Sequence, residues 1–184
     1  SATRLKDTPR ISRLFRTYKD KIKINYLDRG FAKLGEAWHK AMEDSAPSNW
    51  ICEKRFYADV DSYVVSGAID ALEPVGNNTY NVWDYKLMSA YKAKGELTEF
   101  TRQLNIYAYL LHKNNMKVKN LYISAIIRDW SANKIHETNY PDSNMPVFKI
   151  EKWDMDKTVK YVQERVKHHT QEKLPFCNDE EMWA

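Results

Sequence analysis

The segment Asp84-Tyr85-Lys86 holds an acid and an amine two residues apart. On a strand, side chains at i and i+2 share a face, so Asp84 and Lys86 point together with Val82, while Trp83 and Tyr85 point away. An acid and an amine among apolar neighbours are costly to bury unless they are paired or used. The preceding strand carries Asp70, in Gly67-Ala68-Ile69-Asp70, and the turn Glu73–Asn78 between them is short. The two strands should therefore pair and bring Asp70 near Asp84. Converging carboxylates repel unless a cation lies between them, and hard oxygen donors of this kind suit Mg2+ or Mn2+. The plainer alternative is a surface Asp–Lys pair and an unrelated turn aspartate.

Three further features bear on that choice. His39, in Gly35-Glu36-Ala37-Trp38-His39, reads either as an ordinary helix histidine or as an imidazole ligand, with Gly35 one turn earlier allowing close packing. Glu53, in Cys52-Glu53-Lys54-Arg55-Phe56, says little alone. Gln103 and Tyr107 stand at i and i+4 of a helix, so an amide and a phenol share a face. That pair reads either as an ordinary helix face or as two groups projecting toward the site.

The elements that must position these residues follow from apolar spacing. Ile11, Leu14, Phe15, Tyr18 and Ile22 recur at helical spacing with basic residues between them, predicting a short amphipathic helix. A second helix is expected over Phe31–Asp44, with Leu34, Trp38, Ala41 and Met42 inward, stopped by Ala46-Pro47-Ser48. Strands are expected at Ile51–Asp59 and Tyr63–Glu73, forming a hairpin through Val60–Ser62, and at Tyr80–Leu87. A helix over Leu97–Asn114 follows, then strands at Leu121–Arg128, buried on both faces, and Val147–Trp153. Asp154 should cap a last helix running to about Glu172. The tail Leu174–Ala184 reads as irregular. Helix, three strands, helix, two strands and helix make an α/β mixed sheet with helices packed on it. Three strands in a row argue against a doubly wound nucleotide fold, and the five glycines are scattered rather than gathered in a phosphate loop.

Composition limits the classes further. With 184 residues, 43% hydrophobic and 13% aromatic, the chain has the bulk for one buried core rather than a disordered segment. No apolar run reaches ~18 residues, so no helical membrane span is expected. No signal segment opens the chain, which argues against export. The first residue is Ser1 rather than Met, as in a processed or trimmed chain. Two cysteines, Cys52 and Cys177, exclude a disulfide framework and suggest a reducing compartment. The net charge is +4, yet residues 1–29 alone carry nine Lys/Arg against three Asp. A basic start suits a polyanion such as nucleic acid, or is a solvated helix face. Tyr91 reads as a loop aromatic packed on the domain rather than one that stacks on bases. His112, His136, His168 and His169 read as surface histidines without a role.

Taken in order, the set is Gly-x-x-x-His, Glu, Gly-x-x-Asp, Asp-x-Lys and Gln-x-x-x-Tyr. Through KLGEAWHKAMED (33–44), CEKRFYADVDSYVVSGAIDALE (52–73), YNVWDYKL (80–87) and RQLNIYAYLL (102–111), the sequence resembles the PD-(D/E)XK nuclease superfamily, in particular its RecB-type exonuclease branch. The resemblance spans about residues 31–130 and implies a three-layer α/β/α sandwich around a central mixed sheet, a restriction-endonuclease-like core. It implies that His39, Asp70 and Asp84 are metal ligands for Mg2+ or Mn2+, with the Tyr85 backbone carbonyl as a fourth. Lys86 is then the catalytic lysine, Gln103 and Tyr107 contact DNA or steady that lysine, and Glu53 supports a second metal or the ligands. Basic residues of the first helix, Arg10, Arg13 and Arg16, would track phosphates. One departure stands out. Many members of the branch hold an iron–sulfur cluster with cysteines near both ends, and no cysteine lies in the N-terminal helix here, so no cluster is expected within this chain.

The resulting expectation is a divalent-metal-dependent DNA nuclease, an exonuclease of recombination, repair or phage replication. Its DNA would be single-stranded or present ends, a recombination or replication protein is a possible partner, and the location would be cytoplasmic in a bacterial or phage-infected cell. A structure-specific endonuclease and a non-catalytic DNA-binding subunit are the alternatives. The layout expected is a basic helical segment over 1–30, the nuclease domain over 31–173 and the tail over 174–184.

Overall fold

A computed structural model describes residues 1–23, 25–173 and 176–177. Most of the tail expected over 174–184 therefore lies outside the described residues. The elements run α1 (Ala2–Lys6), α2 (Pro9–Thr17), α3 (Tyr26–Ser45), β1 (Ile51–Val60), β2 (Tyr63–Gly76), β3 (Thr79–Met88), α4 (Ala90–Lys94), α5 (Thr98–Lys113), β4 (Lys117–Ile127), β5 (Val147–Ile150) and α6 (Met155–Thr170). The strands form one five-stranded sheet in the order β1-β2-β3-β4-β5. The β3–β4 pair is parallel and the other pairs are antiparallel, so the sheet is mixed. The parallel pair requires a crossover, and α4 and α5 supply it.

Helices cover both faces. Consecutive residues of β3 show this directly, because neighbours on a strand point to opposite sides. Asp84 reaches Gln103 of α5, whereas Tyr85 meets the rings of Trp38 and His39 on α3. The core lies under α5: Ile69, Leu72, Val82, Leu104, Leu110, Leu111, Leu121 and Ile123 are fully buried there. This is the α/β sandwich expected, with the restriction-endonuclease-like strand order.

Several boundaries and faces differ from expectation. The first helix ends at Thr17 and continues as a single 3-10 turn at Lys19–Lys21. Its apolar residues Ile11, Leu14, Phe15, Tyr18 and Ile22 all remain exposed, because α1 rather than α2 inserts into the core through Ala2 and Leu5. Helix α3 starts earlier than expected, where the Asn25 side chain accepts the Leu27 N–H. Leu34 and Ala41 face solvent on it, and Trp38 and Met42 alone of the four expected inward residues are partly covered. Strand β4 is buried on one face only: Leu121, Ile123, Ala125 and Ile127 are enclosed, while Tyr122, Ser124 and Ile126 are half-buried. The Asp154 cap forms as expected, with the side chain accepting the Lys157 N–H at 2.7 Å. Among the described residues no helix is long and apolar enough to cross a membrane.

Candidate metal centre

The site is built where two strands part. The β2–β3 ladder runs from Gly76/Thr79 to Ala71/Trp83 and stops there, one residue before Asp70 and Asp84. The Tyr85 N–H donates instead to Asp70 Oδ2 at 2.7 Å. A side chain thus satisfies a buried backbone donor, and that bond fixes the carboxylate in the gap.

A third acid faces the same place. The β1–β2 register pairs Cys52 with Ala71 and Lys54 with Ile69, which sets Glu53 opposite Asp70. Like charges directly opposite on adjacent strands are destabilising. Glu53 also holds a positive φ of 49° inside a strand, a conformation that costs a non-glycine residue about 1–3 kcal/mol. Helix α3 adds the imidazole: His39 Nδ1 lies 3.5 Å from Asp70 Oδ2 and 3.7 Å from Glu53 Oε1. Ligand atoms of His39, Glu53 and Asp70 all lie within 4.8 Å of one another. Asp70 is buried, whereas His39 and Glu53 are partly exposed, so the group opens to solvent on one side.

Asp84 stands beside this group and is engaged elsewhere. It is fully buried, its Oδ2 is 2.6 Å from Lys86 Nζ, and its Oδ1 accepts from Gln103 Nε2 at 3.3 Å. The Lys86 contact is an ion pair without hydrogen-bond alignment, so Asp84 Oδ2 has a charge partner but no hydrogen-bond donor. Lys86 also donates to the Tyr85 carbonyl at 3.4 Å, the oxygen expected as a ligand. Gln103 Nε2 further donates to the Tyr107 hydroxyl at 2.8 Å. Both side chains are buried, so the amide–phenol pair braces Asp84 from beneath rather than presenting itself to solvent.

The electrostatics follow from burial and crowding. Burial first, and then the charge of Asp84, push the Asp70 carboxyl up to about 7. Burial disfavours the Lys86 ammonium, but Asp84 and Asp70 outweigh it and the amine stays above its ordinary value. Lys86 is therefore a cation in this arrangement, not a free base. One imidazole and two carboxylates converging, with a third carboxylate beside them held by the Lys86 amine and the Gln103 amide, form a donor set that fits a hard divalent ion.

A model of one family matches residues 10–179, that of the PD-(D/E)XK nuclease superfamily. The chain belongs to the PD-(D/E)XK nuclease superfamily. Among solved structures, the crystal structure of SSO0001 is similar in fold, with a TM-score of 0.62 and 19% sequence identity, over 90% of this chain and 74% of that one. No curated protein matches the chain.

Arg13 is committed to structure: its guanidinium donates to the carbonyls of Gln171 and Glu172 at 2.6 and 2.7 Å, beyond the end of α6. Arg10 lies over the Phe176 ring at 4.3 Å. Arg16 is exposed on α2. Tyr91 is 87% exposed on α4, not packed on the domain, because the short helix lifts its ring into solvent. His169 is half-buried rather than superficial, its ring nitrogen 3.0 Å from the Asp7 carbonyl and 3.2 Å from Arg165. The sequence places Trp38 inward on its helix but gives it no part in the site. Trp38 packs edge-on against Tyr85 at 6.4 Å, and its buried indole N–H has no acceptor among the described residues.

Proposed function

We propose that the protein is a divalent-metal-dependent deoxyribonuclease, an exonuclease of the RecB-type branch acting in DNA recombination, repair or phage replication. The observation that carries this reading is the convergence of His39, Glu53 and Asp70 beside the Asp84–Lys86 pair in a chain of this superfamily. In this reading His39, Glu53 and Asp70 hold Mg2+ or Mn2+, with Asp84 and the Tyr85 carbonyl next to them. The bound ion supplies charge neutralisation for the phosphodiester and makes water more acidic. Lys86, kept cationic by its acids, orients the nucleophile or stabilises the pentacovalent oxyanion. Gln103 and Tyr107 hold Asp84 in place, and Arg10 and Arg16 lie on the basic segment over 1–30 that meets the DNA backbone. Residues 31–173 form the nuclease domain. The substrate is single-stranded DNA or DNA ends, a recombination or replication protein is a candidate partner, and the setting is the cytoplasm of a bacterial or phage-infected cell.

The test is cleavage of labelled linear and circular single-stranded DNA. A chelator should stop it, Mg2+ or Mn2+ should restore it, and Asp70→Asn or Lys86→Met should lower it by roughly 10²–10³-fold with the fold intact. An exonuclease leaves the circle whole, and an opened circle makes the protein an endonuclease. A wild type that cuts no DNA form with either metal rules out catalysis by this chain and leaves a binding subunit.

A further inference from the structure

A cavity of about 420 Å3 lies between α2, the beginning of β2 and the end of α6, away from the metal centre. Arg4, Arg13, Arg16 and Lys19 line it, and among the described residues no carboxylate does. Arg13 is tied to the carbonyls after α6, and Arg4 lies 4.8 Å over the Phe15 ring. The side chains of Arg16 and Lys19 have no hydrogen-bond or ionic partner among the described residues. The Ser12 hydroxyl, on the same wall, is buried and likewise unpartnered. Cations gathered without a counter-charge repel one another, and an anion relieves that repulsion. The surroundings agree: burial and the nearby Arg165 cation hold His169, another wall residue, well below the ordinary imidazole value.

We propose that this cavity is a second binding site, taking the phosphate group of a nucleotide. Guanidinium forks match phosphate oxygens in pairs, which favours phosphate over a smaller monovalent anion. The volume is that of a small-ligand pocket. Tyr63, half exposed at the rim, offers a ring on which a base can stack. From Val64 to Asp70 is six residues of β2, so the cavity sits about 20 Å from the metal centre at ~3.3 Å per residue. The cationic lining stands independently of the metal centre, whereas the choice of a nucleotide as ligand rests on the nuclease reading.

Calorimetric titration in EDTA tests the site without cleavage. The probes are dAMP, inorganic phosphate and a single-stranded oligonucleotide with hydroxyls at both ends. The wild type should bind, and Arg16→Gln/Lys19→Gln should bind at least ten-fold more weakly. Both substituted residues are surface cations, so the fold should survive, as circular dichroism will show. Binding of dAMP and phosphate assigns the site to free nucleotide, and binding of the oligonucleotide alone assigns it to a phosphate within a strand. No binding of any probe, or equal binding by the double variant, overturns the proposal. Failure of the nuclease reading would instead appear as absent cleavage with this binding retained.

Discussion

Lys86→Met should destabilise the metal-free protein far more than the loss of one partly exposed amine would suggest. Lys86 Nζ is 2.6 Å from an oxygen of Asp84, whose side chain is entirely enclosed, while Lys86 keeps 21% of its side chain exposed. At an effective dielectric of about 20, unit charges at that separation attract by about 6 kcal/mol. Part of this is offset because the pair must be desolvated. Removing one partner leaves a buried carboxylate held only by Gln103, and losses of this kind run to about 3–5 kcal/mol. The exposed side of Lys86 favours the lower figure, about 3 kcal/mol. For a chain of this size that is a fall of roughly 6–12 °C in Tm. The assay is thermal unfolding at pH 7 in EDTA, run as a double-mutant cycle with Asp84→Asn. On the Asp84→Asn background, Lys86→Met should cost little, since no buried charge is left unpaired. If Lys86→Met lowers Tm equally on both backgrounds, the ion pair is not what the lysine contributes, and its methylene packing is.

Asp70→Asn should leave the metal-free Tm unchanged or raised, because it removes a charge that faces Glu53 and feels Asp84 while keeping an oxygen for the Tyr85 N–H; the same variant should lose the stabilisation that added Mn2+ gives the wild type, and a retained shift would count against the ligand set. Gly67→Ala should cost about 1–3 kcal/mol in urea unfolding, since its Cβ would meet Tyr107 Cε1 at 2.8 Å and Leu110 Cδ1 at 3.0 Å; a neutral result would show that Tyr107 can move. His169 sits at about 4, below its ordinary 6.5, chiefly through burial. The unfolded chain therefore takes up this proton first on acidification, so the contribution is complete above about pH 6.5 and is lost as pH falls toward 4. Half exposure screens it to on the order of 1 kcal/mol. His169→Gln should flatten the stability loss between pH 7.5 and 5, and an unchanged slope would refute the assignment.

Much of this protein is written locally. Alternation along Tyr63–Glu73 and Tyr80–Leu87, the periodicity of α5 and the Asp154 cap name their elements, because each signal depends on a residue's immediate neighbours. The pairing of Asp84 with Lys86 follows from strand geometry in the same way. Glu53 was legible too, had the hairpin been counted back from its two-residue turn: Val60 opposite Tyr63 sets Glu53 opposite Asp70. What needed the tertiary structure was every question of which surface covers which. The sequence shows that α2 is amphipathic, but it cannot show that α1 fills the core in its place and leaves Phe15 and Leu14 in solvent. It offers Arg10, Arg13 and Arg16 as equals, and only the approach of α6 commits Arg13 to carbonyls 158 and 159 residues away. It also cannot show that the β2–β3 ladder stops at Ala71 and opens the gap where the acids meet. Periodicity is a property of adjacent residues, whereas burial and the separation of strands arise from segments distant in the chain, and no window along the sequence contains both partners.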